Sequence, residues 1–292
     1  MRIVVKQILK LVGPIMLSAL SIFISFLILQ PLALLLDPTF NLLASRGIGK
    51  VAFIFLIIYQ ILLLLVLLPQ KFFEKFLELN IYFFAQKGWL KKFLTYFAIF
   101  FSFHALLLFI FFMSNFVQYN PNWGTLSITL IYKILFGLFV VFMLAWTEEL
   151  IFRGTIFLYF AQYLNPLPSL LLASTIFMFA HDLSNPLNLI TKDWQLGLGL
   201  FLLGAMLNSI LIATKKLYAG MGAHAGLVFV KVILRRMPLL TFLPASQLPF
   251  WVVKDLRISP LVHILFFAVI LVILLKNKTV FIKKIAFFCF YF

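Results

Sequence analysis

Long apolar runs separated by short polar clusters set the plan of this chain. The runs fall near residues 11–36, 51–69, 93–116, 126–146, 147–164, 167–181, 195–213, 217–234 and 259–275. A helix that crosses a membrane needs about 20 apolar residues. Several of the runs are shorter, so not all need to cross completely. The stretch 70–92 mixes Lys, Glu and aromatic residues and reads as an amphipathic interfacial connection. Prolines at 166 and 168 predict a helix break near 165. Residues 125–163 as one straight helix would be about 58 Å long. That exceeds a hydrocarbon layer of about 30 Å, so the segment must tilt, break or re-enter.

Composition supports a membrane setting. The chain is 64% hydrophobic, with 38 Phe among 292 residues and a mean hydropathy of +1.14. Soluble domains are roughly 45–50% apolar. The excess cannot fit inside one globular core and must face lipid, where only structures that satisfy their own backbone are viable. The expected fold class is an all-α polytopic membrane protein with about eight transmembrane helices. It reads as a single integral membrane domain over 1–292, with N-terminal helices over 1–124, a core over 125–235, and a last span and basic tail over 236–292.

The net charge of +16 could suggest nucleic acid. Its distribution argues against that, because Lys and Arg gather at the ends of apolar runs, as in "QKFFEKFLEL", "GWLKKFL", "ATKKLY", "VILRRMP" and "LLKNKTVFIKK". Such clusters are interfacial anchors and positive-inside loops. The expected partner is therefore the lipid bilayer. Residues 1–10 and 70–92 are basic, which puts the N-terminus inside; a basic tail after 275 then requires an even number of spans. The basic start and long first run read as an uncleaved span rather than a signal peptide. The only cysteine, Cys289, leaves no disulfide framework within one chain.

The chain holds only eight Asp and Glu, and two of them, Glu148 and Glu149, are adjacent inside "MLAWTEELIFRGTIF". Ionisable groups at membrane depth are costly and mark function by default. Glu149 and Arg153 stand at i,i+4 in the favourable order for a helical ion pair. Glu148 lies about 100° away around the helix, so one acid can be neutralised while the other stays free for chemistry. If the helix ended here, both acids would sit in headgroups, but apolar runs flank them on both sides.

A second cluster is "STIFMFAHD", with Phe177 and His181 at i,i+4. Glu148 lies 17 residues before Asn165 and His181 lies 16 after it. Both are therefore about 25 Å from the proline turn, on adjacent antiparallel helices. The third cluster is "YAGMGAHAGLVFVK", where His224 is surrounded by Gly and Ala residues that allow close helix approach. His104 and His263 have no acidic neighbour and read as a packing and an interfacial histidine. Asp182 either holds the helix end, orients the imidazole or starts a loop.

These clusters resemble the CPBP family of intramembrane proteases (CAAX protease and bacteriocin-processing, also called Abi). "EELIFR" is similar to its EExxxR motif, "FMFAH" to FxxxH, and "GMGAHAG" to its third, His-centred motif, in the same order and over roughly residues 125–235. The resemblance implies an intramembrane endopeptidase (peptidase, hydrolase) acting on a membrane-associated protein or peptide, with Glu148, His181 and His224 as catalytic residues. Glu149, Arg153, Phe177 and Asp182 would support them. Eukaryotic relatives remove the last three residues of prenylated CAAX proteins, and bacterial relatives are linked to bacteriocin maturation or self-immunity. The expected location is a bacterial plasma (inner) membrane.

One position departs from the pattern. Family members often carry Asn four residues after the third-motif His, where it resembles an oxyanion donor; here that residue is Val228. Either His224 and the backbone suffice, or another donor such as Asn208 substitutes, or activity is reduced or lost. The expected chemistry is hydrolysis by water, with Glu148 as general base, His181 orienting the water and His224 stabilising the oxyanion. A metal variant would use Glu148, His181 and His224 as zinc ligands; no HExxH is present. Two other classes stay open: a catalytically impaired scaffold or immunity protein, and a proton-coupled transporter, although no second copy of the acid motif is present.

Overall fold

The computed structural model describes residues 87–121, 128–182, 185–236 and 239–277, with Leu27 and Pro31 besides. The expected first two spans, most of the 70–92 connection and the basic tail lie outside the described residues. The described fold is helical. It comprises α1 (Trp89–Met113), α2 (Ile128–Glu149), a π-helical segment (Leu150–Phe157), α3 (Leu158–Tyr163), α4 (Pro166–Phe179), α5 (Trp194–Thr214), α6 (Leu217–Arg236) and α7 (Pro260–Lys276). Of these, α1, residues Leu130–Gly154, α5 and α6 are long and apolar enough to cross a membrane; α4 and α7 are shorter apolar helices.

The long segment neither ends nor turns back at the glutamates. It runs helical from Ile128 to Tyr163, with a stretch of wider π turns over Leu150–Phe157. Such bulges are rare and gather at functional sites. The helix stops where the prolines require. Asn165 is extended, and Pro166 opens α4 at a position where a missing N–H costs nothing.

Helices α5 and α6 form the centre. Helix α6 packs on α1, α2 and α5, and α5 also packs on α4 and α7. The turn between them is tight, with Lys215 in the left-handed region at φ 53°. Small residues set the α1–α6 distance. A Cβ at Gly222 would collide with the Phe93 carbonyl, and one at Gly226 with the Phe97 carbonyl. Only glycine lets the two backbones meet this closely.

Two short strands, β1 (Val117–Tyr119) and β2 (Leu240–Phe242), follow α1 and α6 and pair antiparallel, Val117 opposite Phe242 and Tyr119 opposite Leu240. This ribbon was not foreseen from the sequence. Beneath it Leu108, Phe111, Val117, Val230 and Val252 are buried together, flanked by Phe116 and Trp251. The connection from β2 to α7 is thereby folded back onto the ends of α1 and α6.

Candidate active site

Helix α2 delivers two glutamates to the junction with the π segment. Glu149 and Arg153 are fully buried, and Arg153 Nη1 lies 3.1 Å from Glu149 Oε1. Arg153 also donates from Nη2 to the Gly204 carbonyl of α5 at 3.4 Å. Its guanidinium sits 4.5 Å from the centre of the Phe177 ring. A buried charge is tolerated when paired and hydrogen-bonded; the ion pair, the Gly204 carbonyl and an aromatic face meet part of that need, while Arg153 Nε and Glu149 Oε2 have no hydrogen-bond partner among the described residues.

Glu149 has a second partner that the helical spacing did not announce. His224 Nδ1 lies 3.1 Å from the same Oε1. Glu149 ionised by Arg153 can only accept, so His224 Nδ1 carries the proton and donates. The ring then turns Nε2 towards Glu148, 3.7 Å from Oε2. One imidazole therefore spans both glutamates. Gly220, one turn before His224, makes the space: its Cβ would stand 2.9 Å from Glu149 Oε2. That glycine was the available sequence signal.

His181 follows α4 directly. Its Nδ1 donates to the Phe177 carbonyl at 2.8 Å, and its ring lies 4.5 Å from the Phe177 ring. Nε2 again faces Glu148, 3.9 Å from Oε2. Phe177 is fully buried and also meets His224 edge-on at 6.4 Å. It thus stands between the buried Arg153 and both imidazoles. Glu148 and His181 keep 20% and 24% side-chain exposure, whereas Glu149 and Arg153 keep essentially none. The centre is open on the Glu148 side and closed on the Glu149 side.

Three polar atoms therefore converge: Glu148 Oε2 and the Nε2 atoms of His181 and His224. Glu148 Oε2 is buried and without a hydrogen-bond partner among the described residues. Burying such an atom unpaired costs free energy, so the site favours a proton-bearing guest such as water. The zinc variant has no comparable support. Among the described residues no group of three His, Cys, Asp or Glu is placed to hold a metal ion.

The remaining candidates are placed elsewhere. Asn208 donates to Ser174 Oγ at 3.1 Å, which commits one N–H to the α4–α5 seam. Asp182 accepts from the Asn185 N–H at 3.1 Å and shapes the turn after His181. Val228, one turn beyond His224, is half-buried. His104 is buried and donates from Nδ1 to the Leu227 carbonyl at 2.9 Å, a packing role. His263 is buried rather than interfacial, with Nε2 donating to the Arg257 carbonyl at 2.7 Å.

Residues 129–230 match the family model described as "Rce1-like: Type II CAAX prenyl endopeptidase Rce1-like". This stretch is similar to the CPBP/CAAX intramembrane proteases. The Rce1-like stretch contains every site residue described above except His104, which precedes it, and His263, which follows it. The similarity and the apolar helices together support an integral, multi-pass membrane protein. No curated protein matches the chain, and no solved structure does.

Proposed function

We propose that the protein is an intramembrane endopeptidase that hydrolyses a peptide bond of a membrane-associated protein or peptide with a water activated by Glu148. The convergence of Glu148 Oε2 with the Nε2 atoms of His181 and His224 carries this reading. His181 is held by a neutral carbonyl, so its Nε2 lone pair accepts from the attacking water and aligns it. Glu148 takes the proton of that water as its oxygen attacks the scissile carbonyl carbon. His224, doubly protonated with its Nδ1–H on the Glu149 carboxylate, donates from Nε2 to the oxyanion. The proton on Glu148 then passes to the departing amine as the tetrahedral intermediate collapses. Arg153 and Glu149 keep the His224 ring in this orientation. We place its basic loops on the inside face of the membrane and take that membrane to be a bacterial inner membrane.

The test is cleavage of a peptide library by the purified protein and by Glu148→Gln and His181→Ala. Both substitutions should abolish cleavage, and activity that survives them excludes this site. Val228 supports a second reading, a catalytically impaired scaffold of the same fold. That reading gains if the wild-type protein cleaves nothing in the library while still binding peptide.

A further inference from the structure

Two connections meet over the start of α5, and two glycines admit them there. A Cβ at Gly197 would collide with the Leu189 carbonyl, and one at Gly199 with the Arg257 carbonyl. The first connection leads from α4 to α5 and the second from β2 to α7. Both present large apolar side chains outside the apolar helices. Leu187 and Ile190 are exposed on the first, and Trp194 is exposed where α5 begins. On the second, the Val252 N–H returns to the Pro249 carbonyl. That turn carries Phe250, which is 81% exposed. Exposed apolar groups gathered in this way mark a surface that meets a membrane or a partner.

Charge lies in the same connection. Lys231 Nζ contacts Asp255 Oδ2 at 2.8 Å. Arg257 clasps the same oxygen, with Nη2 at 2.6 Å and Nε at 3.2 Å. Two cations thus share one acid, and the trio keeps a formal charge of +1. Arg257 spends Nε and Nη2 on Asp255, which leaves the N–H groups of Nη1 for a further acceptor. The depth also fits a ligand from the membrane. The apolar stretch of α6 ends at Leu234, three residues after Lys231, and α7 begins at Pro260, three residues after Arg257. One cation closes an apolar helix and the other opens the next, at the level where a bilayer places its headgroups. The Phe250 turn is fastened to the same place. Ser259 Oγ donates to the Trp251 carbonyl at 3.1 Å, and the Trp251 ring packs on Phe111 and Phe116.

We propose that this end of the protein binds an anionic phospholipid, with the lipid phosphate on Lys231 and Arg257 and the acyl chains against the apolar tips around Phe250. Asp255 holds the guanidinium in a fixed fork but cancels only one of the two positive charges. The site therefore favours a headgroup of net negative charge over a zwitterionic one. The apolar tips favour a lipid over a soluble phosphate, because they add buried area to the electrostatic attraction. Lipid binding here is independent of peptide cleavage, so its test needs no turnover.

A fluorophore on Phe250→Cys, in a Cys289→Ser background that removes the only native cysteine, reads the site directly. The full chain is reconstituted in phosphatidylcholine nanodiscs. These contain rising fractions of nitroxide-labelled phosphatidylglycerol, or of phosphatidylcholine with the same label. Both lipids should quench the fluorophore, and phosphatidylglycerol should reach half-quenching at about a fivefold lower fraction. Arg257→Gln and Lys231→Gln should each bring the two lipids together and leave quenching by phosphatidylcholine unchanged, which also shows that the fold is intact. Lys231→Gln spares the Arg257–Asp255 clasp, so a folding defect in Arg257→Gln does not decide the result. Lys92 stands at the opposite end of the α1–α6 pair, beside Phe93 and its neighbour Gly222, and Lys92→Gln should keep the preference. No quenching by either lipid, equal quenching by both, a preference that survives both substitutions, or one that is lost equally in Lys92→Gln overturns the site. So does inorganic phosphate that removes the preference where chloride of equal ionic strength does not, which would assign the cations to a soluble anion.

Discussion

His224 Nδ1 and Glu149 Oε1 meet at 3.1 Å across 75 residues of sequence, and this contact fixes the Nδ1 proton of the ring that faces Glu148. Glu149 is fully buried with Arg153. Glu149→Ala should leave Arg153 as an uncompensated buried charge and cost about 3–5 kcal/mol, read as a fall in the unfolding temperature. Gly220→Ala should disturb the same pair more mildly, by about 1–3 kcal/mol, because its methyl would lie 2.9 Å from Glu149 Oε2. If Gly220→Ala is neutral in both stability and activity, Glu149 is not held as described.

Glu148 should behave in the opposite way. It has no cationic clasp, keeps 20% side-chain exposure, and its Oε2 lacks a hydrogen bond among the described residues. Glu148→Gln should lower kcat by about 10²–10⁴-fold while shifting the unfolding temperature little. A large loss of stability in Glu148→Gln would show that this carboxylate is structural.

Part of the site is legible in the sequence because it depends on local spacing. The i,i+4 rule links Glu149 to Arg153, and equal distances from the proline turn set Glu148 and His181 at one depth. The structure has them 3.9 Å apart. The Glu149–His224 contact was not legible, since it depends on how α6 is rotated against α2, and Gly220 controls that rotation only through empty space. The π segment was also hidden: a length too great for the bilayer demanded some irregularity, but Ile, Phe and Leu suit α and π turns alike. The β1–β2 ribbon pairs three-residue strands 121 or more positions apart, too short for any alternation to show. The described residues hold four long and two shorter apolar helices, and the first two of the expected eight spans lie outside them.

Val228 offers a gain-of-function test. It follows His224 by one turn of α6 and is half-buried, so a side chain there lies near the His224 face. One oxyanion donor is worth about 10²–10³ in kcat where it is fully used. Val228→Asn should therefore raise kcat, by up to about a hundredfold, with little change in KM. An unchanged or lowered kcat in a folded Val228→Asn protein would mean that the oxyanion already has its donors.

The α1–α6 seam predicts a purely structural failure. At Gly222 and Gly226 the obstacles are the backbone carbonyls of Phe93 and Phe97, which cannot swing aside as side chains can. Gly222→Ala or Gly226→Ala should force the helices apart and cost about 1–3 kcal/mol each. Gly137→Ala should cost much less, because its nearest neighbour is the Val232 side chain at an ordinary 3.5 Å. Equal melting temperatures for the three variants would refute the close approach.

Asp255 sets the pH behaviour of the clasp outside the spans. Burial alone raises its pKa, but the hydrogen bonds and charges of Arg257 and Lys231 outweigh this and hold the carboxyl well below the usual carboxylate range. A carboxyl lowered on folding contributes stability that is complete above its unfolded value of about 3.9 and is lost as pH falls through the lower folded value. Asp255→Asn should therefore lower the unfolding temperature by a constant amount between pH 8 and about 5, with the deficit shrinking only below about pH 4. With Lys231 44% and Arg257 36% exposed, solvent screens the pair and limits the contribution to about 1 kcal/mol. Melting curves of the two proteins across this range decide the matter, and a deficit that already shrinks between pH 7 and 5 would show that Asp255 is not clasped by both cations.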